Sequence, residues 1–193
     1  MVSRPRPPIA ILDANVLYPF HLRNLMIQCA VDDLVAARWT DLIHEEWIRS
    51  LAAKTPTLSV ARLRRTRDLM KAVLPDADVT GFGNNIASLI LPDAGDRHVL
   101  AAAIACGAEI IVTSNVRDFP LKNLMQHRIR AVTPDNFLVQ LCQSNPIEMN
   151  AVIERARLNL TRTAPSPKAY RAALLNQGLT RFVAALANLK ESI

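Results

Sequence analysis

Cysteine is scarce in this chain: Cys29, Cys106 and Cys142 are the three among 193 residues. They are odd in number and far apart, and no Cys-x-x-Cys pair or cysteine–histidine ligand spacing occurs. A disulfide framework or a structural zinc site fits this pattern poorly, and reduced, buried thiols are the expectation. Long apolar runs are missing as well. No stretch approaches the roughly 20 residues that a membrane-spanning helix needs, so no membrane partner is expected. The N-terminal segment carries two arginines and several prolines, and Asp13 interrupts its first apolar stretch. A cleaved secretion signal is therefore a poor fit, and the reading is a cytoplasmic protein.

What is present is a well-supplied core. Hydrophobic residues make up 50% of the chain, which argues against disorder, and the length suits one ordinary domain with a small appendage. The net charge is +6 and the sequence pI about 9.7. An excess of this size suits a polyanionic partner, although many proteins carry it as plain solvated surface.

Residues 9–12 form a short apolar run ending abruptly in Asp13-Ala14-Asn15, the pattern of a strand buried on both faces. Apolar residues then recur at helical spacing over 20–37. A second helix starts at Thr40-Asp41 and runs through Leu51, and a third, arginine-rich, covers 59–73. A looser segment follows. Residues 94–106 read as an alanine-rich helix closed by Gly107, 109–113 as a buried strand, and 129–132 as another. The alternation predicts an α/β fold: a three-layer α/β/α sandwich around a central, mainly parallel sheet. From Pro134 onward the pattern is helical, without repeats or low-complexity tracts. It divides the chain into a domain over 1–135 and a C-terminal helical extension over 136–193.

In open parallel sheets, ligands bind beyond the carboxyl ends of the strands. Asp13 with Asn15, and Asn115 with Asp118, follow two such ends. Glu45 and Glu46 lie early in the second helix, and Asp93 and Asp96 open the alanine-rich one. Hard divalent cations take oxygen ligands, and Mg²⁺ sites use a few carboxylates with water and substrate phosphate. Structural accounts stand beside this one. Asp93 and Asp96 have capping-box spacing, Glu45 and Glu46 could be solvated, and Asp118 could serve a turn. Asp13 is hardest to explain that way, because a carboxylate ending a buried strand is costly unless paired or metal-bound.

Four motifs in order resemble those of PIN domains, over roughly residues 8–135. The first is Ile11-Leu12-Asp13-Ala14-Asn15-Val16-Leu17. In the second, Thr40-Asp-Leu-Ile-His-Glu-Glu46, the register selects Glu46 over Glu45. The third and fourth are joined between Leu91 and Phe119: an Asp, the alanine-rich helix, Gly-Ala, and a strand ending Thr113-Ser-Asn115. The continuation Tyr18-Pro19-Phe20-His21 and the helical tail resemble a longer subgroup of the VapC-like branch, toxins of type II toxin–antitoxin systems.

The resemblance implies Mg²⁺- or Mn²⁺-dependent cleavage of RNA, a cognate antitoxin protein, and a homodimer. It implies that Asp13 and Asp96 bind a first cation and that Glu46 acts on it directly or through water. Asn115 and Asp118 position a second cation or the substrate, and Asp93 adds a carboxylate. Asn15, Thr113, Arg97 and Arg117 face the RNA, Thr113 also as a hydrogen-bonding helper to the attacking water. One departure is Asn115, where many PIN domains carry Asp; a neutral amide is a weaker cation ligand. It leaves room for another reading, a catalytically weakened PIN fold that binds RNA or a partner. A haloacid-dehalogenase-type phosphatase fits less well, because its nucleophile motif needs a second Asp where Asn15 stands. The C-terminal helices read either as an amphipathic cover or as a basic face for RNA or antitoxin.

Overall fold

The computed structural model describes residues 6–187. Its frame is a four-stranded, all-parallel sheet in the order β2-β1-β3-β4. The strands are β1 (Ile9–Leu12), β2 (Ala36–Arg38), β3 (Ile110–Val112) and β4 (Arg130–Val132). In β1 and β3 every residue is buried, which requires cover on both faces. Registers pair Ile9 with Ala36, Ala10 with Ile110, and Ile110 with Arg130.

Helices α1 (Ala14–Leu17) and α2 (Phe20–Val31) connect β1 to β2. Helices α3 (Asp41–Lys54), α4 (Val60–Val73) and α5 (Arg97–Ala105) lie between β2 and β3, with α6 (Leu121–Leu124) before β4. The chain steps from β1 to β2 on one side, then returns across β1 to β3 on the other. Right-handed crossovers therefore put the two sets of helices on opposite faces, giving the expected three-layer α/β sandwich. The reversal also creates a switch point between β1 and β3, where such sheets bind ligands.

Two boundaries differ from those read in the sequence. The helix expected over 20–37 stops at Val31, and Ala36–Arg38 is the edge strand β2. Asp33 takes the left-handed conformation (φ 58°), and the Leu34 amide donates to the Cys29 carbonyl at 2.8 Å. This is a Schellman ending made without glycine, so the usual punctuation is missing. The alanine-rich helix begins as a 3₁₀ turn, Ala94–Asp96, and becomes α-helical only at Arg97. Its end is as read: Gly107 has φ 65°, and the Ala108 amide donates to the Ala103 carbonyl at 2.8 Å.

Helices α7 (Pro134–Ser144), α8 (Pro146–Leu158), α9 (Pro167–Asn176) and α10 (Thr180–Ala187) make up the C-terminal part. The 135/136 boundary read from the sequence falls inside the first turn of α7. These helices share one buried cluster with the sheet domain, contributing Phe137, Met149, Tyr170 and Phe182. Helix α8 packs on α2, where Asn24 donates to the Ala156 carbonyl at 2.6 Å and Arg155 pairs with Asp32 at 3.0 Å. Cys29, Cys106 and Cys142 are all free thiols. Among the described residues no helix is long and apolar enough to cross a membrane.

Candidate active site

Asp13 is the residue immediately beyond β1. Its backbone amide continues the ladder to the Val112 carbonyl at 3.1 Å, which delivers the side chain to the switch point. The carboxylate is 4% exposed and accepts three hydrogen bonds. Oδ1 takes the Ala14 amide at 2.6 Å, making Asp13 the N-cap of α1. Oδ2 takes the Thr113 hydroxyl at 2.6 Å and the Asn15 amide at 2.5 Å. Burial pushes the Asp13 carboxyl up from its ordinary range, while the bonds from Thr113 and Ala14 oppose the shift.

Asn15 and Thr113 tie the ends of β1 and β3 together. Asn15 Nδ2 also donates to Thr113 Oγ1 at 3.0 Å, and its Oδ1 accepts the Ser114 amide at 2.8 Å. Thr113 Oγ1 further accepts the Asn115 amide at 3.0 Å, which sets the turn carrying Asn115 and Asp118.

The second wall comes from α3. Thr40 caps it by accepting the Ile43 amide at 3.1 Å, and Trp47, 1% exposed, anchors its inner face. The two glutamates then diverge. Glu45 forms ion pairs with Arg64 and Arg67, both at 3.2 Å, while Glu46 faces the cleft. Glu46 Oε1 lies 2.9 Å from Nε2 of buried His98, on the first turn of α5. His98 Nδ1 is buried without a hydrogen-bond partner.

A cleft of about 450 Å³ opens between these elements, lined by Asp13, Glu46, Asp93, Asp96 and Asn115 among others. Asp93 and Asp96 do not form the capping box their spacing allows. Asp93 Oδ1 accepts the Gly95 amide at 2.7 Å, but Asp96 makes no capping bond. The Asp96 carboxyl is pushed up to about 6, by burial first and then by the negative charge of Asp13, Asp93, Asp118 and Glu46. These are hard oxygen donors that repel one another, and a divalent cation would relieve that repulsion. Among the described residues they do not close into a tight ligand cluster of three or more; they line an open cleft.

The other residues named from the sequence fall elsewhere. Asp118 is close enough to act on Asp96 but does not line the cleft. Neither Arg97 nor Arg117 lines it, and the Arg97 Nε is buried without a partner. Thr113, named as an RNA contact and helper to a water, does not line the cleft. It is fully buried, and its hydroxyl is committed to Asp13. Asn15 reaches the cleft, but both its amide protons are spent on Asp13 and Thr113. Sequence reading passed over Tyr18, Arg49, Ser50 and Lys54, which line the same cleft. The signal was available for three of them. Positions 49, 50 and 54 share the helix face of Glu46 at three-, four- and eight-residue spacing.

Fold and cleft together define an α/β protein with a parallel sheet and an acidic pocket at its switch point. Comparison with known proteins is narrower. Residues 134–188 match the family described as the VapC50 C-terminal domain. A Mycobacterium tuberculosis protein, VapC50, whose name marks it as a proposed ribonuclease, is 52% identical over 44 residues. That match covers 23% of this chain and 26% of the relative, so the chain spans about a quarter of the relative it matches. No solved structure matches the chain. Over this short stretch, the two matches support the reading of a VapC-like PIN protein with a C-terminal extension.

Proposed function

We propose that this chain is a divalent-metal-dependent endoribonuclease that hydrolyses RNA phosphodiester bonds, the toxin of a toxin–antitoxin pair. The observation that carries the reading is the gathering of Asp13, Glu46, Asp93 and Asp96, from three separate segments, onto one cleft at the sheet's switch point. The toxin role rests on the similarity to VapC50 and its C-terminal domain family.

Asp13, Glu46 and Asp96 are the residues that would hold Mg²⁺ or Mn²⁺, with Asp93 as a further carboxylate. When bound, such a cation supplies a water of lowered pKa and neutralises the charge that builds on phosphorus. The protein's part is orientation. Thr113, Asn15 and the Ala14 amide fix Asp13, and His98 holds one oxygen of Glu46. Asn115 presents a neutral amide to the cleft, suited to an RNA oxygen as well as to a cation. The carboxylates on the cleft do not depend on it, so the binding-only reading gains no support from this one departure. An antitoxin and a second copy of the chain are the proposed partners.

The test is cleavage of an unstructured RNA with millimolar Mg²⁺ or Mn²⁺ against EDTA. Cutting should require the cation and fall at least 100-fold in Asp13→Asn. A folded protein that binds RNA without cutting it under any divalent cation would return the binding-module reading.

A further inference from the structure

We propose that Tyr18, Arg49, Ser50 and Lys54 form a subsite for unpaired RNA, seating the nucleotide next to the one that meets the carboxylates. The inference rests on the ribonuclease reading and names where its substrate lies.

The cleft is polarised. Glu46 stands at one end of the α3 face, and Arg49, Ser50 and Lys54 continue that face toward the helix C-terminus. At 1.5 Å rise per residue, Lys54 lies about 12 Å from Glu46 along the axis, room for the chain to run on from the acidic end. Carboxylates alone would repel a polyanion, and the cationic wall of the same cleft offsets this away from the cation site.

These two cations are also free to act. Among the described residues neither Arg49 nor Lys54 has an ion-pair or side-chain hydrogen-bond partner, and Lys54 Nζ lies 5.6 Å from the Tyr18 ring centre. The basic residues of α4 are in a different position: Arg64 and Arg67 are paired with Glu45, and Lys71 with Asp41 and Asp78. That arginine-rich helix therefore has part of its charge already used.

Tyr18 supplies an aromatic face. The buried Arg23 holds the backbone on both sides, its Nη1 donating to the Leu17 carbonyl at 2.5 Å and to the Tyr18 carbonyl at 3.4 Å, while its guanidinium lies 4.9 Å from the Trp47 ring centre. A partly exposed aromatic ring beside cations that have no ion-pair partner is the arrangement that binds single strands, by stacking a base and tracking phosphates. A stacked base must be unpaired, so the favoured substrate is a loop or single strand.

The test is fluorescence anisotropy with a short, unstructured, labelled oligoribonucleotide in Mg²⁺, on an Asp13→Asn background so that the probe survives. Should that variant fold poorly, the unsubstituted chain in EDTA takes its place. Lys54→Ala and Arg49→Ala should each weaken binding about tenfold and reduce the slope of log affinity against log salt by about 0.7. Tyr18→Leu should cost about tenfold with little change in that slope. Arg62→Ala, an exposed cation on α4, controls for net charge and should change little. Equal losses at Arg62 and Lys54, or no loss at Arg49 and Lys54, overturn the subsite. So does polyglutamate of matched charge binding as tightly as the RNA. Because binding is read apart from cutting, the two proposals fail separately. A chain that cuts RNA but ignores Lys54→Ala keeps the nuclease reading and loses the subsite, while one that never cuts yet needs Lys54 does the reverse.

Discussion

The Thr113 hydroxyl donates to Asp13 Oδ2 at 2.6 Å, joining the last groups of β3 and β1 across the point where the sheet reverses its order. The bond sits at full burial on the Thr113 side and holds a carboxylate that burial alone would drive toward its neutral form. Thr113→Val keeps the volume and removes the donor. It should destabilise the fold by about 1–3 kcal/mol, since a nearly buried acceptor loses a bond to a charged group. The Asp13 carboxyl should move up further, so Mn²⁺ should bind more weakly at neutral pH. Chemical denaturation and calorimetric Mn²⁺ titration check the two parts separately.

Asp96 gives a pH dependence of definite sign. Its carboxyl is raised to about 6 in the folded chain, against about 3.9 for an unperturbed Asp. Between those values the folded state holds more protons than the unfolded state, so this group's contribution falls as pH rises through 6. Asp13, raised by burial, acts in the same sense. His44, lowered to about 4 by burial, acts oppositely in the same window, because the unfolded ring takes up a proton first as pH falls. The difference between variants isolates Asp96. In EDTA, Asp96→Asn should gain stability over the unsubstituted chain at pH 7.5 and show much less gain at pH 4.5. Millimolar Mn²⁺ should raise the melting temperature of the unsubstituted chain more at pH 7.5 than at pH 5. A cation effect of equal size at both values would sink the account.

The parts of this fold that could be read in the sequence are those with local punctuation. β1 is a pure apolar run stopped by Asp13, and the end of α5 is marked by Gly107. The edge strand β2 was invisible because Asp33, where glycine would have marked the turn, adopts the left-handed conformation itself. At the site, the carriers of charge could be named because they sit beside strand ends and helix starts. Their division of labour could not. That Thr113 and Asn15 serve Asp13 depends on pairing residues 98 to 100 positions apart. That Arg64 and Arg67 of α4 are occupied while Arg49 is free depends on how α3 and α4 pack.

Asp135 caps a helix far from it in sequence. Its Oδ2 accepts the Arg181 amide at 3.0 Å and its Oδ1 the Phe182 amide at 2.8 Å, so α7 supplies the N-terminal cap of α10. Asp135→Ala should cost about 1–2 kcal/mol, the usual range for a lost cap, while leaving RNA cleavage unchanged. Removing residues 163–193 is a different matter. It takes away Tyr170, Leu174 and Phe182, each fully buried, and uncovers the faces of α2 and α7 beneath them. We expect that truncation to melt far below the full chain or not to fold, which circular dichroism against temperature would read. A truncated chain with an unchanged melting temperature would return these helices to the status of a detachable cover.

His98 and Glu46 make the last prediction. The ring is buried on α5, its Nε2 is 2.9 Å from Glu46 Oε1, and among the described residues no serine, threonine or cysteine is hydrogen-bonded to it. Its action on the proposed reaction is therefore through Glu46. Losing it should free that carboxylate to rotate, which weakens its hold on a cation. Residues of this kind, one step removed from a metal, typically cost 10- to 100-fold in affinity or activity when removed. His98→Ala should accordingly need about 10-fold or more Mn²⁺ for half-maximal cleavage, with the maximal rate at saturating Mn²⁺ much less affected. His98→Gln, whose amide can donate to Glu46 from a similar reach, should recover part of the loss. A fall in maximal rate that no concentration of Mn²⁺ repairs, with the fold intact by circular dichroism, would mean that His98 meets the substrate itself.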